Sequence, residues 1–259
     1  MITRIISAVV GIPILVGIIT LGGTPLLVAL GVVMLTGLRE FYTALSKKGY
    51  RPVEAVGYVF TVILVLSLYL GEDWATPGIY GAFLLTTLVL LLQEKRTIED
   101  GILTLYGVLY VPLLMSYILR VELLDSPPQV IWLVFIIAFA TDTFAYFSGR
   151  FLGKRKLCPR VSPKKTVEGS LGGLAGTVIA CGAFAYFFIP DGVFSMMILG
   201  GAGSAVAQMG DLSASMVKRW TGIKDFGKIM PGHGGVLDRF DSILFTAPLV
   251  YYYITMVVV

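Results

Sequence analysis

The chain has 259 residues, of which 56% are hydrophobic and 14% charged, with a formal net charge of +4 and a mean hydropathy of +0.86. A soluble domain of this length needs far more charge to cover its surface, so the composition excludes an ordinary soluble enzyme and points to an integral membrane protein. Cys158, in a basic loop, and Cys181, in an apolar run, make no disulfide framework and are read as free thiols.

Taken in chain order, apolar runs long enough to cross a bilayer as helices recur throughout. About nine spans are expected, near Ile5–Leu21, Pro25–Tyr42, Ala55–Leu70, Pro77–Leu92, Ile102–Leu119, Val130–Phe147, Leu171–Ile189, Val193–Asp211 and Asp238–Val258. The first follows Arg4 and lacks a small-residue cleavage site, so it is expected to be a retained helix and not a signal peptide. The expected fold is an all-α polytopic membrane protein. About five spans fall in residues 1–128 and about four in residues 129–259, with cytoplasmic loops at 148–170 and 213–238.

Orientation follows from the cations. With these spans, every Lys and Arg except Arg120 falls on the N-terminal side of the membrane. The positive-inside rule then places the N-terminus and the basic loops in the cytoplasm. For Lys47, Lys48, Lys95 and Arg96, topology and attraction to anionic headgroups suffice as an explanation.

Other lysines keep different company. Ser162-Pro163-Lys164-Lys165-Thr166 joins two cations to two hydroxyls, between Gly149 and Gly153 on one side and Gly169, Gly172, Gly173 and Gly176 on the other. Cations, hydroxyls and exposed backbone N–H groups suit phosphate oxygens, although small residues also let membrane helices pack closely. Asp142 interrupts an apolar span, where a carboxylate is costly without a partner or a wet cavity. Ser204, Gln208, Asp211, Ser215 and Lys218 follow helical spacing and make one polar stripe. Asp238 and Asp241 are spaced to share a face of the last span. Aspartates from three helices suit a hard divalent cation; the plainer alternative is a set of buried Asp–Lys or Asp–Arg pairs. The glycine-rich approach to the last helix, ending in His233, Gly234 and Gly235, is expected to present unpaired N–H groups to an anion. His233, the sole histidine, is either a structural turn residue or a hydrogen-bonding contact to substrate. Asp225, in a loop among cations, is left outside the site.

The stretch Ser215–Asp241 resembles the signature of the phosphatidate cytidylyltransferases, the CDP-diacylglycerol synthases. That signature runs S-x-apolar-K-R, four residues, K-D-x-small, two residues, apolar-P-x-H-G-G-apolar-x-D-R-apolar-D. Here it is filled by Ser215, Lys218, Arg219, Lys224, Asp225, Gly227, Pro231, His233, Gly234, Gly235, Asp238, Arg239 and Asp241. Met230 stands where leucine or isoleucine is usual. Thr141-Asp142, Ser162–Thr166 and Glu168-Gly169 also resemble the family, whereas the first five spans match only in being hydrophobic. With about seventeen fixed or restricted positions, the pattern is far more specific than a lone glycine motif.

The resemblance implies transfer of CMP from CTP to phosphatidic acid, releasing pyrophosphate. It implies Mg²⁺ or Mn²⁺ at Asp211, Asp238 and Asp241, with Asp142 as ligand or supporting partner, and room for an additional monovalent cation. Lys218, Arg219 and Arg239 become candidates for the lipid phosphate or pyrophosphate. Ser162, Lys164, Lys165 and Thr166 become candidates for the CTP triphosphate, and Ser215, Lys224, His233, Gly234 and Gly235 complete the pocket. Expected partners are the bilayer of the inner (plasma) membrane, with the active site facing the cytoplasm, and a second copy in a homodimer; no nucleic acid is expected. Two alternatives stand beside this. One is a CTP-dependent polyprenol or dolichol kinase, disfavoured by the full signature. The other is a cation transporter, which accounts for the intramembrane aspartates but not for the clustered cations.

Topology is testable in a variant lacking Cys158 and Cys181. Cysteines placed at Lys48, Lys95, Lys156 and Lys228 are expected to react with an impermeant thiol reagent only after the cytoplasmic side is opened. Cysteines at Glu72 or Asp191 are expected to react in intact cells. Labelling of the Lys156 and Lys228 positions from outside would contradict the expected orientation.

Overall fold

The computed structural model describes residues 2–229, 232 and 234–257. Among the described residues nine helical segments follow one another: α1 (Ile2–Leu21), α2 (Gly23–Lys47), α3 (Glu54–Tyr69), α4 (Ala75–Leu92), α5 (Ile98–Glu122), α6 (Ile131–Leu152), α7 (Val167–Phe188), α8 (Val193–Thr221) and α9 (Leu237–Val257). Among the described residues, seven of them are long and apolar enough to cross a membrane, and α3 is a shorter apolar helix. Large apolar side chains such as Leu91, Phe187 and Phe194 stand outward, as lipid-facing surface does and a water-facing one does not. The chain is an all-helical polytopic membrane protein.

Two helices run further than hydropathy alone implies. Helix α6 continues past Phe147 to Leu152, and α8 continues past Asp211 to Thr221. The apolar run ends at Asp211, but the polar stripe keeps the helical period and bonds along it: Gln208 Nε2 donates to Ser204 Oγ at 3.4 Å, and Ser215 Oγ to Asp211 Oδ1 at 3.4 Å. Gly222, at φ 74°, then ends α8, a left-handed position that a side chain would strain. A second departure is the antiparallel hairpin of β1 (Lys156–Cys158) and β2 (Ser162–Thr166), where an irregular loop was expected.

The chain forms two compact units, residues 1–119 with 220–240 and residues 120–219 with 241–259. In the first, Val53, Val56, Phe60, Leu64 and Val108 form a core cluster. Helix α5 starts with a capping box, Thr97 accepting from Asp100 N and Asp100 from Thr97 N, and Asp100 also accepts from Arg51 N at 2.6 Å. The Tyr42 hydroxyl donates to Thr104 O at 2.8 Å, and a Cβ on Gly57 or Gly107 would collide with the Tyr42 ring. Pro112 has no N–H to give the α-helical ladder, and α5 passes it through a π-turn at Leu109–Leu113.

In the second unit, α6 and α7 pack closely because α7 is lined with glycine. A Cβ on Gly172 would strike Ser148, one on Gly176 would strike Phe144, and one on Gly169 would lie 2.8 Å from Ala145 O. Close approach brings the Thr141 and Thr177 hydroxyls to 2.9 Å, satisfying two polar groups inside the apolar layer. These glycines therefore pack helices, one of the two roles that the sequence leaves open for them.

Packing of this kind has a measurable consequence. Gly172→Leu and Gly176→Leu are each expected to destabilise the protein in detergent by about 1–3 kcal/mol. Gly81→Ala, where nothing lies within 4 Å of the new Cβ, is expected to be neutral or stabilising by up to about 1 kcal/mol. Equal thermal shifts for all three would contradict this account.

Candidate active site

In the second unit the site residues come from four elements. Gly210 lets α8 and α9 approach, since a Cβ there would lie 3.2 Å from Ser242 Cα. That approach puts Asp211, on α8, beside Asp241, on α9. Asp241 is buried, accepts from Ser242 N at 2.8 Å, and feels the charges of Asp211, Lys218 and Asp142. Asp142 lies open on α6, Asp211 and Lys218 are half-buried on α8, and exposure thus falls from Asp142 to Asp241. Three of the four expected carboxylates and one expected cation share one electrostatic neighbourhood.

The hairpin adds the remaining contacts. Lys165, on β2, forms an ion pair with Asp211 Oδ2, so the alternative of Asp–Lys pairing is realised at this aspartate. Lys164 is exposed and Ser162 half-buried on the same strand. Thr166 does different work. Its hydroxyl oxygen accepts from Gly169 N at 3.1 Å and caps α7. Glu168 closes the hairpin by accepting from Lys154 N at 2.9 Å and Arg155 N at 3.1 Å. Arg219 Nε donates to Val161 O at 3.4 Å, tying the end of α8 to the hairpin turn.

In the first unit two carboxylates hold Phe226, Gly235, Val236 and Leu237 by their backbone N–H groups. Asp238 Oδ2 accepts from Phe226 N at 2.7 Å and from Gly235 N at 2.9 Å. Glu40, on α2, accepts from Val236 N at 3.1 Å and Leu237 N at 2.9 Å, one with each oxygen. The start of α9 was expected to offer unpaired N–H groups to an anion. The N–H groups of Gly235, Val236 and Leu237 are instead taken by the protein's own carboxylates, which compete directly with any phosphate for those donors. Positive charge for substrate must come from side chains. Lys224 and Arg239 stand exposed on this unit, and Gly234 is half-buried with Asp238 Oδ2 2.8 Å from its would-be Cβ. His233 lies outside the described residues.

Glu40 was missed in the sequence, where Arg39 drew attention to the end of the second span as a basic loop. Its signal was the one that singled out Asp142: a carboxylate inside an apolar helix. Among the described residues, no group of three or more His, Cys, Asp or Glu side chains is gathered as a ready-made metal cage. The donor chemistry nonetheless fits a hard cation, because Asp142, Asp211 and Asp241 offer only carboxylate oxygens and Asp211 already faces one positive charge.

Comparison with known proteins agrees with this chemistry. The family described as the cytidylyltransferase family matches residues 2–257. A phosphatidate cytidylyltransferase of Synechocystis is 38% identical, over 98% of this chain and 96% of its own length. One from Staphylococcus haemolyticus is 31% identical over 95% of this chain and 96% of its own, and one from Bacillus subtilis is 35% identical over 69% and 67%.

Proposed function

This chain belongs to the cytidylyltransferase family and makes CDP-diacylglycerol and pyrophosphate from phosphatidate and CTP, and from that premise we propose a division of labour among its residues. Carboxylates hold a divalent cation, and cationic side chains hold phosphates. The observation that carries this is Asp241, a buried carboxylate in the field of Asp211, Asp142 and Lys218. Carboxylates that share one field inside apolar helices repel one another unless positive charge lies among them. Asp211 and Asp241 are assigned as ligands, with Asp142 beside them. Asp238, one turn before Asp241 on α9, is the fourth carboxylate of the set. Mg²⁺ or Mn²⁺ suits all-oxygen donors, and when bound it neutralises triphosphate charge and polarises the α-phosphoryl group.

The acceptor is a phosphate oxygen of phosphatidate. It attacks the α-phosphorus of CTP, and the bond to the bridging oxygen of the β-phosphate breaks. Pyrophosphate leaves with the electron pair. The nucleophile is already anionic, so no strong general base is required, and the residues act by aligning two anions that repel each other. Lys164, Lys165 and Ser162 are assigned to the triphosphate, with Thr166 shaping the hairpin that carries them. Lys218, Arg219 and Arg239 are assigned to the lipid phosphate and the departing pyrophosphate. Lys224, Ser215 and His233 are assigned to further substrate contacts, while Gly234 and Gly235 keep space clear beside Asp238 and Glu40. The distribution of cations supports a cytoplasmic site in the inner membrane.

The cation assignment is tested by Mn²⁺ binding, followed by electron paramagnetic resonance, alongside turnover. Asp211→Asn and Asp241→Asn keep shape and remove charge. Each is expected to weaken Mn²⁺ binding by about 10–100-fold or more in folded protein and to leave almost no activity. Unchanged Mn²⁺ binding in the double variant would overturn the assignment.

A further inference from the structure

Glu40 lies outside the signature and outside the division of labour above. Its side chain is 6% exposed, within an apolar helix of 25 residues. A carboxylate in such a place is costly unless strong donors meet it. Val236 N and Leu237 N meet its two oxygens, one each. The fit depends on missing side chains, because a Cβ on Gly227 or on Gly235 would run into the Glu40 carboxylate. Beside it, the Phe41 ring lies 6.4 Å from the ring of buried Phe226. Consecutive residues of α2 thus meet Phe226 on one side and Val236 and Leu237 on the other, and Asp238 joins Phe226 to Gly235 through their N–H groups.

We infer that Glu40 is a positioning residue for cytidylyl transfer: its buried carboxylate holds Gly227, Gly235 and the first turn of α9 in the geometry the reaction uses. The inference rests on the proposed assignment of Gly235 and of Asp238 to the active site. No neutral side chain substitutes fully. Glutamine offers one acceptor oxygen, and its NH₂ group would face a backbone N–H. Alanine leaves two buried N–H groups without acceptors and opens a gap between two glycines. A displacement of about 1 Å at a reacting group costs on the order of 10²-fold in rate.

The test uses full-length protein in detergent micelles with CTP, phosphatidate and Mg²⁺. Glu40→Gln is expected to lower kcat by about 10²-fold, with KM for both substrates changed by less than about threefold. Amide hydrogen exchange should rise in peptides covering 226–237 and stay unchanged in α6, α7 and the hairpin. Gly227→Ala keeps the carboxylate but pushes it aside, and is expected to lower kcat in the same way. Glu40→Ala removes the carboxylate that Gly227→Ala displaces, so combining these two changes should cost no more than Glu40→Ala alone. Normal kcat in folded Glu40→Gln protein overturns the inference. So does exchange that rises everywhere, which marks a merely structural residue, and so does strictly multiplicative loss in the double variant. If unaltered protein transferred no α-phosphoryl group to phosphatidate, the functional assignment would fail, while the exchange measurement would still report whether Glu40 holds Gly235 and the first turn of α9.

Discussion

A carboxylate inside an apolar helix has to be met by N–H donors or by positive charge, because hydrocarbon supplies neither. In this chain that constraint is answered in two ways. Glu40 and Asp238 are met by the backbone N–H groups of Phe226, Gly235, Val236 and Leu237. Asp211 is met by Lys165, and Asp241 shares its surroundings with Lys218 and two further aspartates. The first arrangement consumes its donors and builds a fixed backbone. The second sets carboxylates among lysine side chains and leaves carboxylate oxygens that suit a hard cation.

Close helix packing makes the second arrangement possible. Gly210 sits immediately before Asp211 and lets the backbone of α9 come near at Ser242. Gly173 does the same between α7 and α6, where its Cβ would lie 3.1 Å from Thr141 O, next to Asp142. Glycine costs helix propensity, but in a membrane the lipid tails give no hydrophobic drive for helices to associate, and close contact is a main source of cohesion. Gly210 thus brings the helices of Asp211 and Asp241 together, and Gly173 packs α7 against α6 beside Asp142.

Much of this was legible in the sequence, for physical reasons. The apolar helices were legible because hydropathy over a bilayer's thickness is a strong signal, although among the described residues seven, and not nine, are long and apolar enough to cross. The spacing of Ser204, Gln208, Asp211, Ser215 and Lys218 carried the helical period past Asp211, yet a loop was expected from residue 213, where α8 in fact runs on to Thr221. The hairpin was not, because Ser162–Thr166 contains Pro163 and is short and polar, like a turn. The occupied N-terminus of α9 was not either. Its partner Glu40 lies 196 residues away from Val236 in the chain, and local pattern does not report such pairing. Thr166 was singled out as a hydroxyl near lysines, and the structure uses it as a helix cap. A sequence shows which residues are polar inside the membrane; which of them are satisfied by backbone is decided by the fold.

The central claim is that this chain directs attack at the α-phosphorus of CTP. Purified protein with Mg²⁺, offered CTP labelled at the α- or at the γ-phosphate together with phosphatidate or a polyprenol, separates the possibilities in one experiment. The account predicts α label in lipid, γ label released as pyrophosphate, and phosphatidate alone as acceptor. Entry of γ label into lipid, or no lipid labelling by folded protein, would contradict it.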